Sequence, residues 1–135
     1  MATSDDISAW IALFVGLYAL AAAVGEWRSP NTWWTMLKEF ERSPALRFAT
    51  GFVTLALGAA IYLVNPWRPE DWLAVAVSVI GGAAVAEGLL ILAAGDRFLH
   101  MARALIGRAG RAWAGFAALF GIAAILVALS RLPLA

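Results

Sequence analysis

The sequence contains no cysteine and only one histidine and one lysine. Without cysteine there are no disulfides, no thiol redox chemistry and no thiolate metal sites. His100 is the only histidine and lies between apolar runs, so a haem held by two helix histidines is excluded within one copy. Lys38 also lies between such runs, which argues against a retinal Schiff base. We therefore expect no cofactor and no metal.

Charge is also scarce, since 14% of the 135 residues are charged and 63% are hydrophobic. A soluble domain of this length could not bury so much apolar surface. Most of the hydrophobic residues lie in four apolar runs, at residues 7–25, 46–64, 72–94 and 112–129. As a helix, each run spans roughly 27–35 Å, which matches a hydrocarbon core of about 30 Å. The sequence predicts an all-α membrane protein, a single domain over residues 1–135 with four transmembrane helices.

The basic residues are distributed unevenly between the connections. Eight lie in or beside the first and third connections: Arg28, Lys38, Arg42, Arg47, Arg97, Arg103, Arg108 and Arg111. On the other side of the predicted membrane there are only Arg68 and Arg131. Basic residues in short connections favour the cytoplasmic side. We expect connections one and three in the cytoplasm, and both termini and the 65–71 turn outside.

Each cytoplasmic connection predicts an amphipathic helix lying at the membrane surface. In residues 31–42, apolar side chains recur at helical spacing opposite charged ones. Asn31 or Thr32 is expected to cap the start of this helix, and Ser43-Pro44 to end it. The second helix, over residues 96–112, has the more basic polar side, with Asp96 expected to cap it. Anionic lipid headgroups are the expected partners of seven side chains: Lys38, Arg42, Arg97, His100, Arg103, Arg108 and Arg111.

The two halves of the chain predict a tandem repeat, over about residues 7–64 and 72–130. A shift of 64 residues aligns the pattern Arg-x-x-x-Gly-Phe-x-x-Leu that starts at Arg47 with the same pattern starting at Arg111. Each half would then be a span, an interfacial helix and a second span. Two spans in each repeat give both repeats the same orientation, related by an axis along the membrane normal.

Glu87 is the only ionisable residue deep within a predicted span. A charged carboxylate there costs about 2.5–3.5 kcal/mol on insertion scales. Counting depth along neighbouring spans places Tyr18 and Thr54 level with it, and both carry hydroxyls that can bond a carboxyl group. We therefore expect a Glu87–Tyr18–Thr54 polar cluster inside the bundle. The favoured interpretation is a protonated glutamate that locks helix packing; the alternatives are a proton or transport path, and contact with a partner subunit or cofactor. Glu26, at the end of the first span, is expected to stay solvated.

The segment Glu87-Gly88-Leu89, followed by Gly95 and Phe98-x-x-Met101, resembles a pattern in families of small uncharacterised bacterial inner-membrane proteins. Those families place Glu-Gly-Leu near the end of a span, then a proline-initiated interfacial helix and a second span. This chain has Gly95 where the pattern has proline, and Ala22 or Ala23 where the first half would have the glutamate. The resemblance implies this architecture and a bacterial inner membrane, and it implies no reaction.

No nucleophile–base pair, metal cluster or phosphate loop is recognisable in the sequence, so we expect no enzyme. The favoured function is a non-catalytic accessory or scaffolding subunit, which packs against a larger membrane complex or against copies of itself. Two alternatives remain open: a small transporter or channel that uses Glu87, and a bundle that binds lipid, quinone or pigment between its helices. Beyond membrane lipids and such a complex, no nucleic-acid partner is expected.

Overall fold

The computed structural model describes residues 4–107 and 109–132, without the side chains of residues 4 and 5. This part of the chain forms five α-helices and no strand: α1 Ser4–Arg28, α2 Thr32–Arg42, α3 Pro44–Val64, α4 Trp72–Ile106 and α5 Gly110–Arg131. Helices α1, α3, α4 and α5 are each long and apolar enough to cross a membrane. The predicted all-α, multi-pass membrane fold is confirmed.

Helix α2 follows the first predicted amphipathic segment closely, but its start is capped differently. Asn31 occupies the N-cap position in a left-handed conformation and makes no side-chain cap, so the expected capping by this side chain is wrong. At the other end, the Ser43 hydroxyl accepts a 3.2 Å hydrogen bond from the Leu46 amide, and Pro44 opens α3. The Ser43-Pro44 pair thus ends one helix and starts the next.

The third predicted span and the second amphipathic segment are two helices joined across a kink, and we number them together as α4. A kink at Ala94, where φ is −145° and ψ is 47°, separates the apolar part from the part that carries His100 and Arg103. Gly95 follows the kink, and the side chain of Arg47 from α3 packs against it. Asp96 lies two residues beyond the kink, near the start of the second of these helices. Gly107 ends α4 with a positive φ of 52°, a conformation that glycine adopts readily.

The four long helices pack as two pairs, α1 with α5 and α3 with α4. The short 65–71 connection makes α3 and α4 antiparallel neighbours, as the sequence predicts. Within each pair, the two helices contact each other at glycine residues. A Cβ added to Gly16 would lie 2.7 Å from the Gly121 carbonyl oxygen, and one added to Gly58 would lie 2.8 Å from the Gly81 carbonyl oxygen. Such contacts let backbones approach closely and compensate for the lack of a hydrophobic driving force in lipid.

No single shift along the sequence relates the glycines of one helix pair to those of the other. A shift of 65 residues takes Gly16 to Gly81, and a shift of 63 takes Gly58 to Gly121. The shift of 64 aligned Gly51 with Gly115. Gly51 is buried against Leu92, whereas Gly115 has no neighbour within 4 Å of an added Cβ, so these two glycines are not equivalent in packing. The duplication itself stays a prediction.

The two helix pairs are joined mainly at their ends. Near the 65–71 turn, which we call the turn end, α1, α4 and the end of α5 share an apolar core: Ala9, Ala12, Leu73, Val77, Ala128 and Leu132. At the opposite end, which we call the collar end, α2 and the part of α4 beyond Ala94 lie across the pairs. Between these ends runs a boundary between the pairs, here called the seam.

Candidate functional site

A buried polar network crosses the seam at the turn end. Asn65, which is 4% exposed, follows α3 directly. Its amide nitrogen donates to the Ala74 carbonyl at 2.9 Å and to the Ser78 hydroxyl at 2.8 Å. Its amide oxygen accepts from the buried Ser8 hydroxyl of α1 at 2.6 Å. One side chain at the end of α3 thereby bonds groups on α1 and α4, and these bonds are strong where water is scarce.

An ionic network lies beside it at the start of α4. The Asp71 carboxylate accepts from the Leu73 amide at 3.0 Å, from Arg68 at 2.7 Å and from Arg131, at the end of α5, at 2.8 Å. Burial alone would raise the pKa of Asp71, but the hydrogen bonds from Arg68, Arg131 and the Leu73 amide lower it to about 2. Arg131 also lies 5.3 Å from the Trp72 ring centroid. Asp71 therefore caps α4 and fastens α5 to it.

Glu87 is exposed and lies on the face of α4 that borders the seam. Ala76 and Ile80, further towards the turn end, line a small apolar cavity of about 170 Å³ between the pairs, together with Ala12 and Val15 of α1. Glu87 is seven residues beyond Ile80, which is nearly two full helical turns, so the two side chains share one face. At the level of Glu87 the pairs leave that face uncovered.

The predicted cluster of Glu87, Tyr18 and Thr54 is not formed. Tyr18 is 76% exposed and Thr54 is half-buried on α3. Within the described residues, no hydrogen bond connects Glu87 to either hydroxyl. The depth argument assumed that the first three spans face one common interior. Instead α1 pairs with α5, which separates Tyr18 from Glu87. Helix α3 does pair with α4, but there Leu55 meets Gly88 while Glu87 is exposed.

Glu26 is a central residue that the sequence interpretation missed, because it is 1% exposed instead of solvated. Its two carboxylate oxygens accept hydrogen bonds from the backbone amides of Asn31 and Trp33, each at 2.9 Å. It thus caps α2 from the preceding helix, where a negative charge also suits the helix dipole. Gly110 packs on the carboxylate, and a Cβ there would lie 2.2 Å from the Glu26 Oε2 atom. The available signal was a carboxylate five residues before the expected N-cap of α2.

A second carboxylate fixes the far end of α2 to α4. Glu41 accepts from Arg103 and lies 3.2 Å from the His100 Nδ1 atom. The hydrogen bond from Arg103 lowers the pKa of Glu41; burial opposes this, and the Arg103 charge and His100 reinforce it. Arg103 also lies 5.7 Å from the Trp34 ring centroid. Helix α2 is therefore held at both of its ends, by Glu26 on α1 and by Arg103 on α4.

Above α2 lies an apolar cleft of about 360 Å³. Tyr18, Ala19 and Ala22 of α1 form one wall of this cleft, and the apolar side of α2 forms its floor. The floor residues are Trp33, Met36, Leu37 and Phe40. The predicted apolar stripe of α2 thus faces the space between the helices, with none of its residues fully buried.

The residues predicted to contact lipid headgroups all lie at the collar end where they are described. Arg42, Arg97, His100 and Arg111 are exposed, and Lys38 and Arg103 are half-buried. Arg108 lies outside the described residues. Lys38 lies 4.4 Å from the Trp34 ring centroid. Headgroup contact itself stays a prediction, as does the absence of a cofactor.

The chain was compared with protein-family models, with curated proteins and with solved structures, and none of the three comparisons found a match. Function must therefore be argued from the site alone.

Proposed function

We propose that this chain is a non-catalytic accessory or scaffolding subunit of a membrane assembly, formed with a larger complex or with copies of itself. One observation carries the proposal: Glu87 is exposed although it lies within the membrane-spanning part of α4. No described residue donates a hydrogen bond to it.

An uncovered carboxyl group in the hydrocarbon region is expensive in either protonation state, because lipid supplies no hydrogen-bond partner. Glutamates at such depth normally face protein or a hydrated cavity. A second polypeptide that covers this part of α4 would remove the cost. The exposed apolar side chains of the spans do not bear on the question, since lipid solvates them.

We also propose a bacterial inner membrane, with both termini and the turn end on the periplasmic side. The uneven distribution of basic residues supports this orientation, and the resemblance described above supports the bacterial membrane. In this orientation α2 and the end of α4 lie at the cytoplasmic surface.

A transporter or channel is the second candidate, favoured by the position of Glu87 on the seam-facing side of α4. Proton-dependent flux in liposomes that disappears in Glu87→Gln would support this candidate over the subunit. The third possibility, binding of quinone or pigment, would be revealed by the absorbance spectrum of the purified protein.

The deciding experiment is purification from native membranes in a mild detergent, with composition read by native mass spectrometry. We expect a fixed stoichiometry with a partner or with further copies. In Glu87→Leu that assembly should dissociate, whereas the control Glu70→Gln, which changes an exposed carboxylate at the turn end, should leave it intact. A wild-type protein that is recovered only as a monomer would contradict the proposal.

A further inference from the structure

The cleft above α2 has the chemistry of a site for a single hydrocarbon chain. Its lining is almost entirely apolar, and the Tyr18 phenol is the main exception. Ordered water needs two to four polar partners, which this lining does not supply. An empty volume of about 360 Å³ would forfeit the dispersion contacts of every wall. An apolar chain lying in the cleft would supply those contacts.

Helix α2 explains why the occupant comes from the membrane. It is the most clearly amphipathic helix of the chain, yet none of its residues is fully buried by protein. An amphipathic helix of this kind is stabilised when its apolar side is covered by acyl chains at the headgroup boundary. The cleft is open, so a chain can enter it from the surrounding leaflet.

The charge next to the cleft favours an anionic headgroup. Lys38 and Arg42 lie on the polar side of the same helix whose apolar side forms the floor, together with Glu39 and Glu41. Arg103 pairs with Glu41, which leaves a net positive charge on this side. Juxtamembrane cations attract anionic lipid. We propose that the cleft binds one acyl chain of an anionic phospholipid, with its headgroup at the collar end. This site is separate from Glu87 and from any partner that covers it.

The test uses two alanines that are neighbours on α1. Ala22 lines the cleft, whereas Ala21 is exposed outside it. Wild-type protein that has been washed in mild detergent should retain about one anionic phospholipid per chain in native mass spectrometry. Ala22→Phe fills the cleft and should retain at least about tenfold less, equivalent to about 1.4 kcal/mol. Ala21→Phe adds the same ring at the same depth and should behave as wild type.

A second measurement does not depend on the folding of Ala22→Phe. Phospholipids with brominated acyl chains quench nearby tryptophan fluorescence, and Trp33 lies in the floor of the cleft. Brominated phosphatidylglycerol should quench the fluorescence of wild type more strongly than that of Trp33→Phe. With brominated phosphatidylcholine this difference between the two proteins should be smaller. Equal retention by Ala22→Phe and wild type, equal quenching by both lipids, or recovery of a quinone instead of a phospholipid would each overturn the proposal.

Discussion

Asp71, Glu26 and Glu41 are carboxylates at helix ends, but different donors surround them. Asp71 receives two arginines and a backbone amide, Glu26 receives two backbone amides, and Glu41 receives Arg103 and His100. Asp71 and Glu41 join helices that are distant in sequence, whereas Glu26 joins α1 to the helix that follows it. At the residue scale, therefore, the described fold is held at its two ends by carboxylates more than by its sparse interior.

Asp71→Ala should lower the free energy of unfolding by about 1–2 kcal/mol, because it removes the cap of α4 and both arginine contacts. The folded-state pKa is lowered from 3.8 to about 2, so the stabilisation is present above the ordinary value and is lost as the pH falls through about 2. Thermal unfolding in detergent should show a difference between variant and wild type that shrinks as the pH is lowered below 3.8. Glu70→Ala, next to it and exposed, is the control. A difference that does not change with pH would contradict this role.

Glu26→Ala should expose the start of α2, because two partly buried amides lose their acceptor, at a total cost of about 1–3 kcal/mol. Hydrogen exchange followed by mass spectrometry should show faster exchange over residues 31–35. Glu39→Ala, on the exposed side of α2, should leave that exchange unchanged. If both variants exchange like wild type, Glu26 does not hold the helix.

At the scale of elements, the sequence predicted the type of each helix well. It predicted the ends of the helices and their contacts less well. The four spans, α2, the Ser43-Pro44 boundary and the α3–α4 hairpin are confirmed. The second amphipathic helix lies beyond the kink at Ala94, but it ends at Ile106 instead of residue 112, because Gly107 adopts a positive φ there. Helical periodicity reports which residues share a face, and it does not report which helix that face meets.

Glycine contacts should determine the stability of both helix pairs. Gly58→Ala and Gly121→Ala each place a Cβ within 3.0 Å of backbone on the facing helix, and such overpacking costs about 1–3 kcal/mol. Gly115→Ala is the matched control, because its added Cβ meets nothing within 4 Å. It should be neutral or stabilising by up to about 1 kcal/mol. Unfolding in mixed detergent micelles measures all three; equal destabilisation by Gly115→Ala would show that packing across the pairs is not responsible.

At the scale of the whole molecule, two antiparallel pairs are joined by polar networks at their ends, and the cavity along the seam between those ends is apolar. This arrangement gives the chain a cleft at one end and an uncovered carboxyl group along its length. Both features would disappear in a single compact four-helix bundle, and they underlie the two proposals made above.

The orientation of this structure can be tested directly because the chain has no cysteine. A single cysteine in place of Glu70 should react with a membrane-impermeant maleimide in intact spheroplasts. A cysteine in place of Glu39 should react only after the membrane is permeabilised. Both positions are exposed and lie outside the hydrophobic spans, at opposite ends of the molecule. The opposite labelling pattern would show that the proposed orientation in the membrane is wrong.

By itself the sequence determined that the helices lie in a membrane, the class of fold, the number of spans and the amphipathic side of α2. These follow from hydrophobicity and its period along the chain, which are local properties. Only the tertiary structure decided that α1 pairs with α5, that Glu26 is buried and that Tyr18 lies away from Glu87. Those outcomes depend on how glycine surfaces on helices distant in sequence fit together, and depth counting along single helices contains no information about that fit.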